Sequence, residues 1–433
     1  MKKYDNYKDS GIEWIGEVPE HWNILRGKEV LRFTNGYPFN SNLFSKDEND
    51  GMPLVRIRDL KSANFSTYYK GEIIDNAIID NEDIIIGMDG DFNITKWSKG
   101  KALLNQRLCK IYGINGLSIN FLFFSLPYYL QIINDLTYYT TVKHLSNGDL
   151  FEEKYLVPPL NEQTSISNYL DHKTSQIDTL IAKKEQFISL LQEEHTAVIN
   201  QAVTKGLDPQ AKMKDSGIEW LGEIPEHWTS YRIDWVTDIV RGNTGFKKDE
   251  LLKNGEYVAL QYGKTYKVDI VDDSFNFFVN SEFFKESQIV SKGDTILIST
   301  SETVEDLGHT CFYNNGNIGL LGGEQILLKP NRKVLYEKYL YQYARQFRLE
   351  LKKYAKGLKV FRFSTTDLKQ IFIAIPSIEE QIQIADFLDR ETIRIDSLIS
   401  KSKQEIELLK EYKTALISEV VTGKVDVRNV ILN

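Results

Sequence analysis

The sequence predicts a mixed α/β chain built twice over: two similar α+β blocks separated by two long helices, which pair antiparallel as a coiled coil in a pseudo-two-fold repeat. Three observations predict it. A sixteen-residue phrase, KDSGIEWIGEVPEHWN at 8–23, returns as KDSGIEWLGEIPEHWT at 214–229 with thirteen identities. A longer stretch, 158–208, aligns without a gap on 376–426, sharing Leu170/Leu388, Asp171/Asp389, Ile177/Ile395, Asp178/Asp396 and Leu191/Leu409. The intervening stretches, roughly 24–157 and 230–375, differ strongly in residues yet keep similar runs in a common order. A frame was duplicated and two inserts diverged.

The first block, 1–157, carries the repeated phrase near its head. Strand-like runs follow at 53–58, 83–87 and 103–111, rich in Ile, Val and Leu and broken by Gly, Asn and Asp. A helical run, 118–135, closes it. The stretch 158–208 then places Ile166, Leu170, Ile177, Ile181, Ile188, Leu191, Val198 and Ala202 at steps of three, four and seven. That spacing keeps one apolar stripe on one helix face. Pro158 and Pro159 stand before it and Gly206 near its end, as helix punctuation requires. The second block, 209–375, repeats the plan, with strand-like runs at 257–261, 295–299 and 325–328 and a helix at 336–354. The stretch 376–426 repeats the stripe as Ile384, Leu388, Ile395, Ile399, Ile406, Leu409, Leu416 and Val420.

A helix of about 42 residues spans roughly 60 Å, and a lone stripe of that length is unstable in water. Pairing the two copies antiparallel covers both stripes and holds the blocks apart; the alternative is that each helix packs on its own block. The blocks also keep a faint mutual register. TTVKHLSNGDL at 140–150 aligns with LKVFRFSTTDL at 358–368, and LLNQRLCKI aligns with GGEQILLKP so as to match Gln106 with Gln325.

Bulk properties set limits on function. A length of 433 residues implies two to four units, and 42% hydrophobic with 26% charged residues is a globular composition. Two distant cysteines, Cys109 and Cys311, support neither a disulfide framework nor a zinc spacing. The N-terminal residues are polar, and the most apolar stretch, 116–133, is interrupted by Asn120, Ser125 and Pro127, so no membrane association is expected and the cytoplasm is the expected location. A net charge of −8 argues against a protein that coats DNA unaided, because phosphate neutralisation needs Lys and Arg.

Enzymatic motifs are missing. There is no G-x-G-x-x-G, no phosphate loop, and no Asn/Asp-Pro-Pro-Tyr/Phe loop; the Pro-Pro of VPPL at 157–160 is not one. The Glu152-Glu153-Lys154 run reads as a solvated approach to a helix rather than a magnesium site. His21 and His227, inside the repeated phrase, read as packing residues. A non-catalytic chain with no cofactor or metal of its own is expected.

These residues carry a resemblance. GIEWIGEVPEHW and GIEWLGEIPEHW, with PLNEQ and SIEEQ opening heptad helices that close on VTKGLD and VTGKVD, resemble the DNA specificity subunits of type I restriction–modification systems. LLNQR and GGEQILLKP look like that family's recurrent phrases, and the likeness covers essentially the whole chain. It implies that the blocks are target-recognition domains, each reading half of an asymmetric bipartite site on double-stranded DNA, with the helices as spacer. It implies two methylation subunits and restriction/translocation subunits as partners, with S-adenosylmethionine, ATP and magnesium bound there. A modification-only adenine methyltransferase complex, or a nucleic-acid-binding scaffold, stays open.

Arg and Lys suit guanine and phosphate, Asn and Gln suit adenine, and rings suit stacking. The candidate readers in the first block are Arg56, Arg58, Lys61, Asp91, Asn93, Asn105, Gln106, Arg107, Tyr138, Tyr139, Lys143 and His144. In the second they are Gln261, Tyr262, Lys264, Thr265, Tyr266, Ser299, Ser301, Glu302, Gln325, Lys356, Lys359 and Arg362. The alternative for Asn105 and Gln106 is to hold a turn by hydrogen bonds. Trp14, Trp22, Trp220 and Trp228 are candidates for docking the methylation subunits, or else for pinning the repeated phrase to the helices.

Overall fold

The structure, a computed structural model, describes residues 2–62, 64–136 and 144–432. It divides into two units, Met1–Lys184 with Gln404–Asn433, and Glu185–Lys403. Both stripe-bearing stretches are unbroken helices, Leu160–Lys205 (46 residues) and Ile378–Val421 (44 residues). Each ends where a glycine, Gly206 or Gly423, takes a positive φ (76° and 74°), the left-handed conformation that stops a helix.

Each unit contains part of both helices, running antiparallel. In the first unit Asp178 pairs with Lys413 at 2.7 Å and Lys184 pairs with Glu405, so one helix ascends as the other descends. Ile166, Leu170 and Ile177 share a core with Leu416 and Val420. In the second unit Glu194 meets Arg394 at 2.6 Å, and Ile199 and Ala202 share a core with Ile384 and Leu388. A buried Leu or Ile is worth about 1.5–3 kcal/mol, whereas an exposed ion pair adds at most about 1 kcal/mol. The stripe therefore holds the helices together, and the ion pairs favour the antiparallel sense.

The first unit's two larger sheets are a four-stranded antiparallel one, in the order Ile94–Lys96, Ile84–Gly87, Leu108–Gly113, Leu31–Asn35, and a five-stranded one in which Met52–Val55 lies parallel to Ala102–Leu104. The second unit repeats the plan. Thr237–Arg241, Gln325–Pro330, Thr295–Ile298 and Thr310–Tyr313 pair antiparallel, and Tyr257–Leu260 lies parallel to Gly319–Leu321. The helices Ile119–Leu136 and Glu337–Leu351 stand where the sequence places them. The run 103–111 is two strands, not one: residues 105–107 form a turn that passes the chain from one sheet to the other. The run 53–58 likewise ends at Val55, and a short 3-10 turn, Ile57–Asp59, follows.

The repeated phrase folds as a small clasp on the start of each long helix. Tyr7–Asp9 pairs with Glu17–Pro19 in the first unit, and Met213–Asp215 with Glu223–Pro225 in the second. Trp22, wholly buried, donates its indole N–H to Glu162 Oε1 at 2.9 Å, and His21 meets the other carboxylate oxygen at 2.7 Å. The Tyr4 hydroxyl closes on the same carboxylate. The second unit repeats this with Trp228 (3.1 Å) and His227 (2.9 Å) on Glu380. The adjacent glutamine fastens the recognition block. Gln163 accepts from Ser118 N and donates to Gly116 O and Pro158 O; Gln381 accepts from Tyr336 N and donates to Val334 O and Pro376 O. The Glu-Gln pair in PLNEQ and SIEEQ thus ties phrase, helix and block at one point.

Candidate nucleic-acid interface

Three strand ends meet at one edge of each block. In the first unit these are the residues after Ile84–Gly87, the turn at 105–107, and the backbone at His144. Met88 N donates to Arg107 O (3.0 Å), Leu145 N donates to Met88 O (2.8 Å), and Asp89 bridges His144. In the second unit Ser299 N donates to Glu324 O (3.0 Å), Phe363 N to Ser299 O (3.2 Å), and Thr300 pairs with Arg362. The positions correspond one to one: Asp89 with Thr300, Arg107 with Glu324, and His144 with Arg362. This corrects the expected match of Gln106 with Gln325. Gly36 N binds Leu108 O as Gly242 N binds Gln325 O, so Leu108 is Gln325's counterpart. A slip of two residues leaves every side chain on its own face, so alternation along the sequence cannot detect it.

At this edge the chemistry is permuted. In the first unit Asp89 Oδ2 accepts from Arg107 Nη1 at 2.7 Å and Oδ1 meets His144 Nδ1 at 2.8 Å. Asp89 is largely covered, while Arg107 and His144 are 57% and 55% exposed. Burial pushes the Asp89 carboxyl up, but the bonds from His144 and Arg107 hold it below the ordinary aspartate value. A fixed anion thus orients two outward-facing donors. In the second unit the carboxylate sits on the turn instead. Glu324 accepts from Thr300 Oγ1 and lies 3.8 Å from the Arg362 guanidinium. Tyr262 stands nearby; burial first, then the charges of Glu302 and Glu324, raises its pKa. Its ring stacks on Tyr266 at 6.0 Å. The Tyr266 hydroxyl is pushed up to about 12 by burial and by Asp306.

The remaining candidates separate by exposure. Arg58, Lys61, Asp91, Gln106, Glu302, Lys356 and Lys359 are exposed, and Asn93 and Asn105 are half-buried. Arg56 is occupied: Nε binds Asp59 at 3.0 Å and Nη2 binds Ser66 at 2.7 Å, which locks the turn Ile57–Asp59. Lys264 lies 4.5 Å over the Phe277 ring. Gln261 donates to Phe246 O at 3.0 Å. Thr265, Ser299, Ser301 and Gln325 are buried, and Gln325 Nε2 is spent on Leu260 O at 2.6 Å, so these four side chains cannot touch a base. Tyr138, Tyr139 and Lys143 lie outside the described residues. Sequence reasoning missed Asp89, Thr300 and Glu324. The register shared by His144 and Arg362 pointed to their strand, but not to the carboxylate that each would meet.

The tryptophans divide too. Trp22 and Trp228 are buried in the clasps, so their rings cannot form a dock. Trp14 and Trp220 are half-buried, Trp14 against Tyr128 and Tyr129 and Trp220 against Tyr343. Among the described residues no group of three or more His, Cys, Asp or Glu could hold a metal, and no helix is long and apolar enough to cross a membrane. Burial raises both cysteine thiols, Cys109 to about 12, which keeps them neutral and poorly nucleophilic.

The model of the type I restriction modification DNA specificity domain matches this chain twice, at residues 19–189 and 225–408. The chain belongs to the type I restriction–modification DNA specificity family. Members supply the DNA recognition of their complexes and no catalysis. The chain is 28% identical to the type I restriction enzyme EcoBI specificity subunit of Escherichia coli, over 96% of this chain and 89% of that protein. It is 26% identical to the MjaVIII specificity subunit of Methanocaldococcus jannaschii, over 99% and 97%. The fold matches a chain from a structural study of type I complex assembly and conformational transition (TM-score 0.73, 17% identity, 94% of this chain, 99% of that one). It also matches the HsdS subunit from Thermoanaerobacter tengcongensis (TM-score 0.52, 17% identity, 94% and 98%).

Proposed function

We propose that this specificity subunit reads two unlike half-sites on duplex DNA, one with each recognition domain, for partner subunits that methylate and cleave. The observation that carries the reading is the permuted edge. Equivalent backbone positions present Arg107 and His144 on Asp89 in one domain, and Arg362 beside Glu324 and Thr300 in the other. Guanidinium donors suit guanine O6 and N7, and a carboxylate suits the cytosine amine. Side chains this different cannot favour the same bases, so the target is asymmetric. The long helices serve as the spacer. Leu190 and Leu408, at matched positions of the two helices, are 53% and 56% exposed, which suits two equivalent docks for a methylation subunit. Genome-wide mapping of adenine methylation with and without the gene tests the proposal. One split, asymmetric motif should vanish with the gene; an unchanged map, or a symmetric motif, refutes it. Replacing Arg362 by Ala in the assembled complex should weaken cognate binding.

A further inference from the structure

Residues 356–362 form a pinned hairpin beside the second domain's reading edge. Lys356 and Arg362 exchange both backbone hydrogen bonds at 3.0 Å, and Phe361–Arg362 pairs with Thr300–Ser301. Gly357 has φ +135°, and a Cβ there would stand 1.9 Å from Val360 O, so only glycine closes the loop. At its tip Leu358 is 99% exposed. Single exposed leucines are ordinary on surfaces. This one differs in its setting: a fixed loop, exposed Lys356, Lys359 and Arg362 within seven residues of a chain with net charge −8, and Glu324 at its base. Among the described residues neither Lys356 nor Lys359 makes a close ion pair; the Lys356 charge reaches Asp367, whose carboxyl burial pushes up and Ser364 and Lys356 hold low.

We infer that Leu358 is a wedge that inserts between neighbouring base pairs of the half-site read by the second domain, while Lys356 and Lys359 hold the flanking phosphates. The inference rests on the DNA-reading proposal and deepens it. Phosphates complement the cations, and an apolar side chain with nothing to pack on in the protein complements the face of an unstacked base. Insertion unstacks one step and bends the duplex. The cost of that deformation depends on the step and is smallest for pyrimidine–purine steps. The wedge therefore adds specificity where no hydrogen bond reads a base: a TA or CA/TG step is expected at its point of entry.

The test uses the complex assembled with its methylation subunits and a duplex carrying the mapped site, with 2-aminopurine placed at successive positions of this half-site. Wild-type complex should raise the fluorescence several-fold at one step. Leu358→Ala should return it to the free-duplex level and weaken cognate binding about tenfold. The slope of affinity against salt should stay unchanged, because the cations remain. Leu358→Phe should keep the signal. Leu358 packs on nothing, so folding is not at issue. A bound, methylated site with no unstacked step, or unstacking that survives Leu358→Ala, overturns the wedge alone. A methylation map that ignores the gene overturns the DNA-reading proposal and the wedge with it.

Discussion

If the edge around Asp89 reads DNA as proposed, this one charge should separate specificity from affinity. The Asp89 carboxylate holds Arg107 and His144 at 2.7 and 2.8 Å, so under the proposed reading it acts on DNA only through them. Replacing it with Asn removes one negative charge near the phosphates, which favours DNA of any sequence, and releases two donors from a fixed geometry, which disfavours the cognate one. Asp89→Asn should therefore leave non-specific binding equal or stronger while cognate affinity falls by about 1–3 kcal/mol, the worth of a bidentate base contact. Competition titrations at fixed salt measure both; a parallel change in the two sinks the orienting role. Asp294 offers a test of burial. Desolvation raises its pKa to about 6 from 3.8, although Ser291 N donates to it at 2.9 Å. The folded state thus binds this proton more tightly than the unfolded chain does. The group's contribution to stability is present below pH 3.8 and is lost as pH rises through 6, up to about 3 kcal/mol in all. Asp294→Asn keeps an acceptor and should flatten the stability of the second unit between pH 4 and 7, as read by hydrogen exchange.

At the scale of elements, the clasps decide how firmly each helix begins. Glu162 is almost wholly buried and serves Trp22, His21 and Tyr4; Glu380 is more exposed and serves Trp228 and His227. Glu162→Ala strands a buried indole N–H, a loss of about 2–3 kcal/mol. The first turn of Leu160–Lys205 and the strand Tyr7–Asp9 should lose exchange protection, and Glu380→Ala should cost its own helix less. Equal losses in the two helices would remove burial as the cause. Much of this level was legible in the residues. The stripe, its punctuation and the repeated phrase each follow from periodicity or identity, so both long helices were expected, although Leu160–Lys205 and Ile378–Val421 stop short of the repeated stretches 158–208 and 376–426 at both ends. That Trp22 and Trp228 pin the phrase to the helices was one of the two readings the residues offered; which carboxylate they grip was not legible, because Trp22 and Glu162 lie far apart in sequence and only the folded chain brings them together. The turn at 105–107 was hidden for another reason: LLNQRLCKI alternates like one strand, and two strands in different sheets leave the same pattern. Gln325 looked like a reader because nothing in the sequence distinguishes an amide bonded to Leu260 O from one facing solvent.

For the whole molecule the physical question is what sets the distance between the half-sites. If the paired helices set it, their length must enter the recognised sequence while the bases read do not change. One heptad added to both helices, at matching points and in phase with the stripe, lengthens each by about 10 Å, equal to at most about three base pairs at 3.4 Å per step. The stripe survives the insertion, since seven residues return it to the same face within about 20°. DNA does not return so neatly: three base pairs turn the second half-site by about 100° around the duplex, given 10–10.5 base pairs per turn. The longer subunit must therefore either twist the intervening DNA or settle for fewer added pairs, and both weaken binding. Methylation mapping of such a variant should show both half-sites unchanged, a gap wider by one to three base pairs, and fewer sites fully modified. An unaltered gap would mean that the domains find their half-sites independently of the helices. Altered half-sites would mean that the helices shape the reading edges themselves. Leu190→Lys and Leu408→Lys change exposed helix positions and leave both the helix length and the reading edges as they are. If each helix carries one dock, either change should halve the methylation subunits bound per chain, as counted by native mass spectrometry, and the pair together should abolish them.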